Sequence, residues 1–253
     1  MQSFLSLGRF HIPVFGLFAA VGLMCSMALG QYVARRARVD RDALWDAGMV
    51  TVFAAFVFSR ALLVVENLRT FLSYPVLVLE LPSLTKEGLI LTAIVAVIYV
   101  RHRRLPLLNT LDAAAPCLVL LCAFLSLGRM AEGTRDGMTT TVWWAIPSSF
   151  GRVHPVELYA AMSCLILCCV LLWVLWHSQA PGETAAWGLI LGGLLVFLLT
   201  FFRLPSMLYS TSMLDGDQAR ALGLIVAGSL LLAWRVGVGA QYGRVAKDVD
   251  DAV

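Results

Sequence analysis

GRMAEGTRDGMTTTVWWAIPSSFGRVHPVELY, residues 128–159, gathers Arg129, Glu132, Arg135, Asp136, Arg152, His154 and Glu157 into one short polar stretch. LDAAAPCLVLLCAFLSL (residues 111–127) runs into it, and AAMSCLILCCVLLWVLW (residues 160–176) follows it. Apolar runs of about 17–25 residues are the length at which a helix crosses a hydrocarbon core. A polar stretch between two such runs belongs at a membrane face. The fold is decided here: the chain reads as an all-α, polytopic helical membrane protein, with a lipid-handling site at the surface.

Composition agrees. The 253 residues are 60% hydrophobic and 14% charged, and the mean hydropathy is +0.82. A soluble domain carries about 25% charged residues. The apolar runs do not alternate polar with apolar as barrel strands do, and only helices or closed barrels satisfy backbone groups in lipid. The net charge of +3 gives no reason to expect nucleic acid. Cys25, Cys117, Cys122, Cys164, Cys168 and Cys169 all lie in apolar runs, where they read as small packing residues rather than a disulfide framework. Cys164, Cys168 and Cys169 share a helical spacing, but no His or carboxylate lies in that run, so no metal and no cofactor are expected.

Seven helices are expected, at about 12–33, 44–65, 87–100, 111–127, 156–176, 184–202 and 218–234. The first has Arg9 before it but Met24 precedes Cys25, and the run continues to Val33, so it reads as a retained helix and not a cleaved signal. The third is short for a full span. Arg35, Arg36, Arg38 and Arg41 follow helix 1, and Arg101, Arg103 and Arg104 follow helix 3. Short basic loops mark the cytoplasmic side. The N-terminus is then outside, the C-terminus cytoplasmic, and the polar segment at about 128–155 extracytoplasmic. Residues 1–253 form one transmembrane bundle in this reading, expected to be a monomer. Residues 66–82 form an outer connection broken by Tyr74-Pro75 and Leu81-Pro82, and residues 204–217 another outer loop.

Arg60, Arg129, Arg152 and Arg203 all fall on the outer side. A guanidinium offers a planar fork and stays charged when partly buried, which suits a lipid phosphate. Each arginine either snorkels, pairs with Glu66, Glu132, Asp136 or Glu157, or meets a headgroup. Outer arginines have no topological reason to be there, so four together favour the headgroup. His154 precedes Pro155 at the start of helix 5 and is either a cap or a general base. Trp143, Trp144 and Tyr159 fit an interfacial aromatic belt.

Arranged in order, these pieces resemble the bacterial prolipoprotein diacylglyceryl transferases. They are Phe15-Gly16-Leu17, Ser59-Arg60, Leu72-Ser73-Tyr74-Pro75, Gly128-Arg129, Arg152-Val153-His154-Pro155-Val156-Glu157-Leu158-Tyr159 and Phe201-Phe202-Arg203-Leu204-Pro205. The His-Pro-x-(Gln/Glu)-Leu-Tyr piece is the most specific. The resemblance implies a multi-pass enzyme of the bacterial plasma membrane, its site facing the extracytoplasmic side. It implies transfer of a diacylglyceryl group from phosphatidylglycerol to the lipobox cysteine of a prolipoprotein. It implies Arg129 at the phosphate, Arg203 and Arg60 supporting the headgroup, and Glu132 or His154 as the base. With the outer-side residues read above, the expected site is Arg129, His154 and Glu132 for catalysis and Arg60, Arg129, Arg152, Arg203 and Glu157 at the phospholipid headgroup.

The chain departs from the family pattern. Lys86-Glu87-Gly88 stands where the family has His-Gly-Gly, and MAEGTRDG is a compressed signature after Gly-Arg. Val196 and Thr200 stand where helix 6 of the family carries an arginine and a glutamate, Phe15 replaces a tyrosine, and Ala160 replaces a glutamate. The alternative reading is a non-catalytic relative that binds anionic phospholipid or a membrane protein partner. A transporter fits least, because only Asp46 and Arg60 come near the membrane interior.

Overall fold

The computed structural model describes residues 4–7, 10–68, 86–134, 137–148, 151–178, 180–203 and 216–250, with side chains for all but 4–12, Lys86 and 236–250. Tyr74-Pro75, Leu81-Pro82, Arg135, Asp136 and the connection after Arg203 lie outside the described residues. Seven helices occur among those that are described: α1 Val14–Val33, α2 Arg41–Glu66, α3 Lys86–His102, α4 Leu107–Glu132, α5 Val156–His177, α6 Glu183–Thr200 and α7 Gly216–Asp250. Two short antiparallel hairpins accompany them, β1 Phe4–Leu7 with β2 Phe10–Pro13, and β3 Ile146–Ser148 with β4 Gly151–Val153. Helices α1, α2, α4, α5 and α6 are long and apolar enough to cross a membrane. The chain is therefore a multi-pass α-helical membrane protein.

The differences from the sequence reading sit at element ends. Helix α1 begins after Pro13 rather than at Ile12, because Phe10–Pro13 is held as a strand. Proline, lacking an N–H and fixed in φ, suits the boundary. Helix α2 starts three residues early, since Asp40 caps it by accepting from Ala43 N at 2.9 Å. Helix α3 has 17 residues, about 26 Å at 1.5 Å per residue, so it is short as expected. Helix α7 runs 35 residues and continues through the polar tail. No proline interrupts it there.

The chain forms two compact units, Gly30–Thr110 and the pair of segments Met1–Leu29 and Leu111–Val253. In the first, α2 packs on α3, and the buried residues of α2 are small: Ala47, Ala54 and Ser59. Without a hydrophobic driving force between helices in lipid, small residues favour close contact. Helices α1 and α3 end alike. Val39 N donates to Ala34 O and Leu105 N to Val100 O, both at 3.0 Å, with Arg38 (φ 58°) and Arg104 (φ 55°) at the left-handed position. Asn109 Nδ2 ties α4's first turn to Ala37 O at 2.8 Å.

In the second unit, α6 packs along α7 and against α5. A Cβ on Gly193 would lie 2.7 Å from Ala221 O, and one on Gly228 would lie 2.8 Å from Ala186 O. The two backbones meet directly, as small-residue stripes allow. Asp112 of α4, 4% exposed, accepts from Gly182 N at 2.6 Å and Ala185 N at 2.8 Å. It satisfies the orphan donors at the start of α6.

Candidate active site at the helix ends

Three helix ends in the second unit converge. Arg129 is in the last turn of α4, Glu157 in the first turn of α5, and Arg203 just follows α6. Arg129 Nε donates to Glu157 Oε2 at 3.0 Å, and Arg203 Nη2 donates to Glu157 Oε1 at 3.4 Å. Arg129 Nη2 also donates to Ser126 Oγ at 3.3 Å. Ser126 lies one turn back on the same helix face. Glu157 is 5% exposed, while the two guanidinium side chains are 45% and 35% exposed. The carboxylate is the buried member and the arginines open outward. Its place in a helix's first turn and Arg129's in a last turn both suit the helix dipoles. Arg203 Nη1 lies 3.9 Å from Asp217 Oδ2, and Asp217 is bonded in turn to Arg220. Arg203 Nε is buried and has no partner among the described residues.

A small β layer holds this cluster. Residues 137–140 run antiparallel to β4 on one side and to Phe202–Arg203 on the other, with bridges Gly137↔Arg203 and Thr139↔Val153. Met138 N donates to Phe202 O at 2.9 Å, and Met138 O accepts from His154 N at 3.0 Å. Thr140 N donates to Arg152 O at 2.8 Å. Gly137 has no room for a side chain, since a Cβ there would fall on the His154 carbonyl. The run is therefore a β layer at the helix ends, an arrangement the sequence reading did not anticipate.

The His154 ring does not cap α5. The cap residue is Pro155, without a side-chain hydrogen bond, and the imidazole Nδ1 lies 3.2 Å from Tyr159 Oη. Tyr159 Oη accepts from Trp144 Nε1 at 2.5 Å, which leaves its own proton for Nδ1 or a lone pair for Nδ1–H. Phe202 stands edge-on to both rings, with centroids 5.4 Å from His154 and 5.7 Å from Tyr159. Tyr159 and Trp144 thus orient the histidine, a role beyond the aromatic belt expected of them. A cleft lined by Met130, Thr134, Ile146, Val153, His154 and Glu157 joins the histidine to the carboxylate.

The other expected residues are placed differently. Arg152 Nη2 donates to Trp143 O at 3.0 Å and Ala145 O at 3.3 Å, bracing the loop before β3. Glu132 is exposed at the end of α4, and among the described residues no ion pair joins it to the arginines. Arg60 is half-buried in α2, in the first unit. Thr200 spends its hydroxyl on Phe197 O at 2.7 Å and accepts from Gln218 Nε2 at 3.3 Å. The sequence reading missed Ser126 and Asp217. For Ser126 and Asp217 the available signal was the i,i+3 spacing to Arg129 and Arg220.

Known proteins match along most of the chain. A family model described as prolipoprotein diacylglyceryl transferase matches residues 2–234. A protein of Synechococcus elongatus named phosphatidylglycerol--prolipoprotein diacylglyceryl transferase is 25% identical over 181 residues, 66% of this chain and 63% of that protein. Its namesake in Trichormus variabilis is 24% identical over 208 residues, 77% of this chain and 73% of its own. Another, from Mannheimia succiniciproducens, is 30% identical over 123 residues, 44% of this chain and 46% of its own.

Proposed function

Since the chain belongs to the prolipoprotein diacylglyceryl transferase family, we propose that it moves a diacylglyceryl group from phosphatidylglycerol to the cysteine thiol of a prolipoprotein. The observation that carries this reading is the buried Glu157 shared by two half-exposed arginines, Arg129 and Arg203. It is a rigid cationic fork at the ends of membrane-spanning helices, next to a histidine. The donor's phosphate lies against the outward faces of Arg129 and Arg203, where their exposed guanidinium N–H groups can donate. The thiol loses its proton, since the thiolate is the nucleophile. Its sulfur bonds the diacylglyceryl carbon, the carbon–oxygen bond to phosphate breaks, and glycerol phosphate leaves. The arginines stabilise the charge that gathers on that leaving oxygen.

His154 serves as the base, with Tyr159 at its Nδ1. Glu132, exposed at the helix end, is a weaker candidate for that part. Arg152 acts by bracing its loop, and Arg60 belongs to the headgroup set on the family resemblance alone. The site faces the extracytoplasmic side. In this reading α3 and α7 also span, making seven spans in one monomeric bundle with the N-terminus outside and the C-terminus in the cytoplasm.

One observation favours the second reading, a lipid-binding relative without turnover. Thr200, where the family resemblance places a charged residue, is occupied with Phe197 O and Gln218. The test is a transfer assay with phosphatidylglycerol and a lipobox peptide, with Arg129→Ala beside the wild type. The peptide should gain the mass of a diacylglyceryl group, and the variant should abolish that gain. Phosphatidylglycerol bound without transfer, and bound less well by Arg129→Ala, would favour the second reading.

A further inference from the structure

Both oxygens of Glu157 are taken, each by a different arginine. Two guanidinium charges less one carboxylate leave the fork a single net positive charge. Asp217 does not change this balance, because it is bonded to Arg220 and that pair cancels. A clamp that merely held two arginines in place could use a neutral acceptor. A buried carboxylate instead halves the charge of the site it organises.

The charge matters because, on the transferase reading proposed above, the phosphate changes charge during the reaction. The donor enters as a phosphodiester with one negative charge. The new sulfur–carbon bond forms as the carbon–oxygen bond breaks. That bond's electron pair stays on the phosphate oxygen, and the thiol proton passes through the base to water. The product is a phosphate monoester, whose second ionisation near pH 6 makes it largely dianionic at neutral pH.

We infer that Glu157 is a specificity-determining residue that sets the charge preference of the fork, matching it to the singly charged diester and leaving the doubly charged monoester over-compensated. The substrate is neutralised on binding. The product brings a second charge whose desolvation the single net positive charge of the fork does not offset, so it departs. With an amide in place of the carboxylate, the fork would carry two positive charges and suit the product better than the substrate.

The experiment uses the full chain in nanodiscs of phosphatidylcholine at pH 8, loaded with a fluorescent phosphatidylglycerol. Two water-soluble competitors displace it: glycerophosphoglycerol, a monoanionic diester, and glycerol phosphate, a dianionic monoester. The wild type should bind the diester at least as tightly as the monoester. Glu157→Gln keeps the shape and one acceptor oxygen, and should shift the preference toward the monoester about tenfold, allowing for screening of these half-exposed charges. The ratio comes from one sample, so the folded fraction cancels. An unchanged ratio in the variant overturns the inference, since a merely structural clamp would not move it. Should the variant not fold, the wild type decides alone: a tenfold preference for the monoester there overturns the inference as well. Transfer to a lipobox peptide is measured in parallel. Its absence in the wild type removes the transferase reading, whereas the competitor ratio judges the charge preference separately.

Discussion

Arg129 donates to Glu157 through Nε and to Ser126 through Nη2. A lysine ammonium is a point charge and cannot reproduce that fork. Arg129→Lys should therefore lower kcat/KM for transfer about tenfold to a hundredfold, the loss of a charge-assisted hydrogen bond. Retention of full activity would show that charge alone suffices at this position. Tyr159 poses a different question. Its hydroxyl meets Trp144 Nε1 and His154 Nδ1 and touches neither arginine. Tyr159→Phe should lower kcat and leave KM for phosphatidylglycerol near the wild-type value. A rise in KM as large as that of an arginine variant would place the tyrosine with the headgroup instead. Gly137→Ala should be worse than either, because its methyl would fall on the His154 carbonyl. Little folded protein is expected, read as the monodisperse fraction after detergent extraction.

At the scale of elements, the helices were legible and the polar layer was not. Apolar runs of membrane length speak through composition, and five of the helices meet that criterion. The ends were less legible, because a cap such as Asp40 or the strand before α1 depends on a few local bonds. The β layer has short strands with little alternation. Its pairing of Gly137 with Arg203 joins positions far apart in the chain, which no local pattern announces. The arginine–carboxylate cluster was half legible. Arg129, Arg203 and Glu157 could be named from their residue types, but their convergence on one carboxylate is tertiary. Asp112 was missed altogether, since a lone acid at the start of an apolar run looks like an end residue. Its two oxygens hold the start of α6. Asp112→Ala should cost about 1–3 kcal/mol by leaving buried donors unmet. Asp112→Asn should cost less, because one acceptor oxygen survives. Thermal unfolding in detergent, compared for the two variants, checks the order.

For the whole molecule, the basic turns after α1 and α3 carry the orientation argument. Arg35, Arg36, Arg38, Arg101, Arg103 and Arg104 are all exposed. A fluorescent protein fused after Val253 should fluoresce, as it does only when the C-terminus is cytoplasmic, and a phosphatase fused there should be inactive. The reverse pattern would require an even number of crossings or an inverted bundle, and the inverted bundle would move the Arg129–Arg203 site to the other face.

Met138 gives its N–H to Phe202 and its carbonyl to His154, and the residue is 42% exposed. In mechanical terms it is a rung, with the end of α6 on one rail and the lead-in to α5 on the other. A rung made of main-chain atoms is indifferent to which side chain it bears, so geometry matters here more than residue type. A push on either rail is handed across undamped. Arg203, next to Phe202, and His154 are then expected to shift together, so that on the reading proposed above the spacing of phosphate contact and base would not depend on the acyl chains beneath.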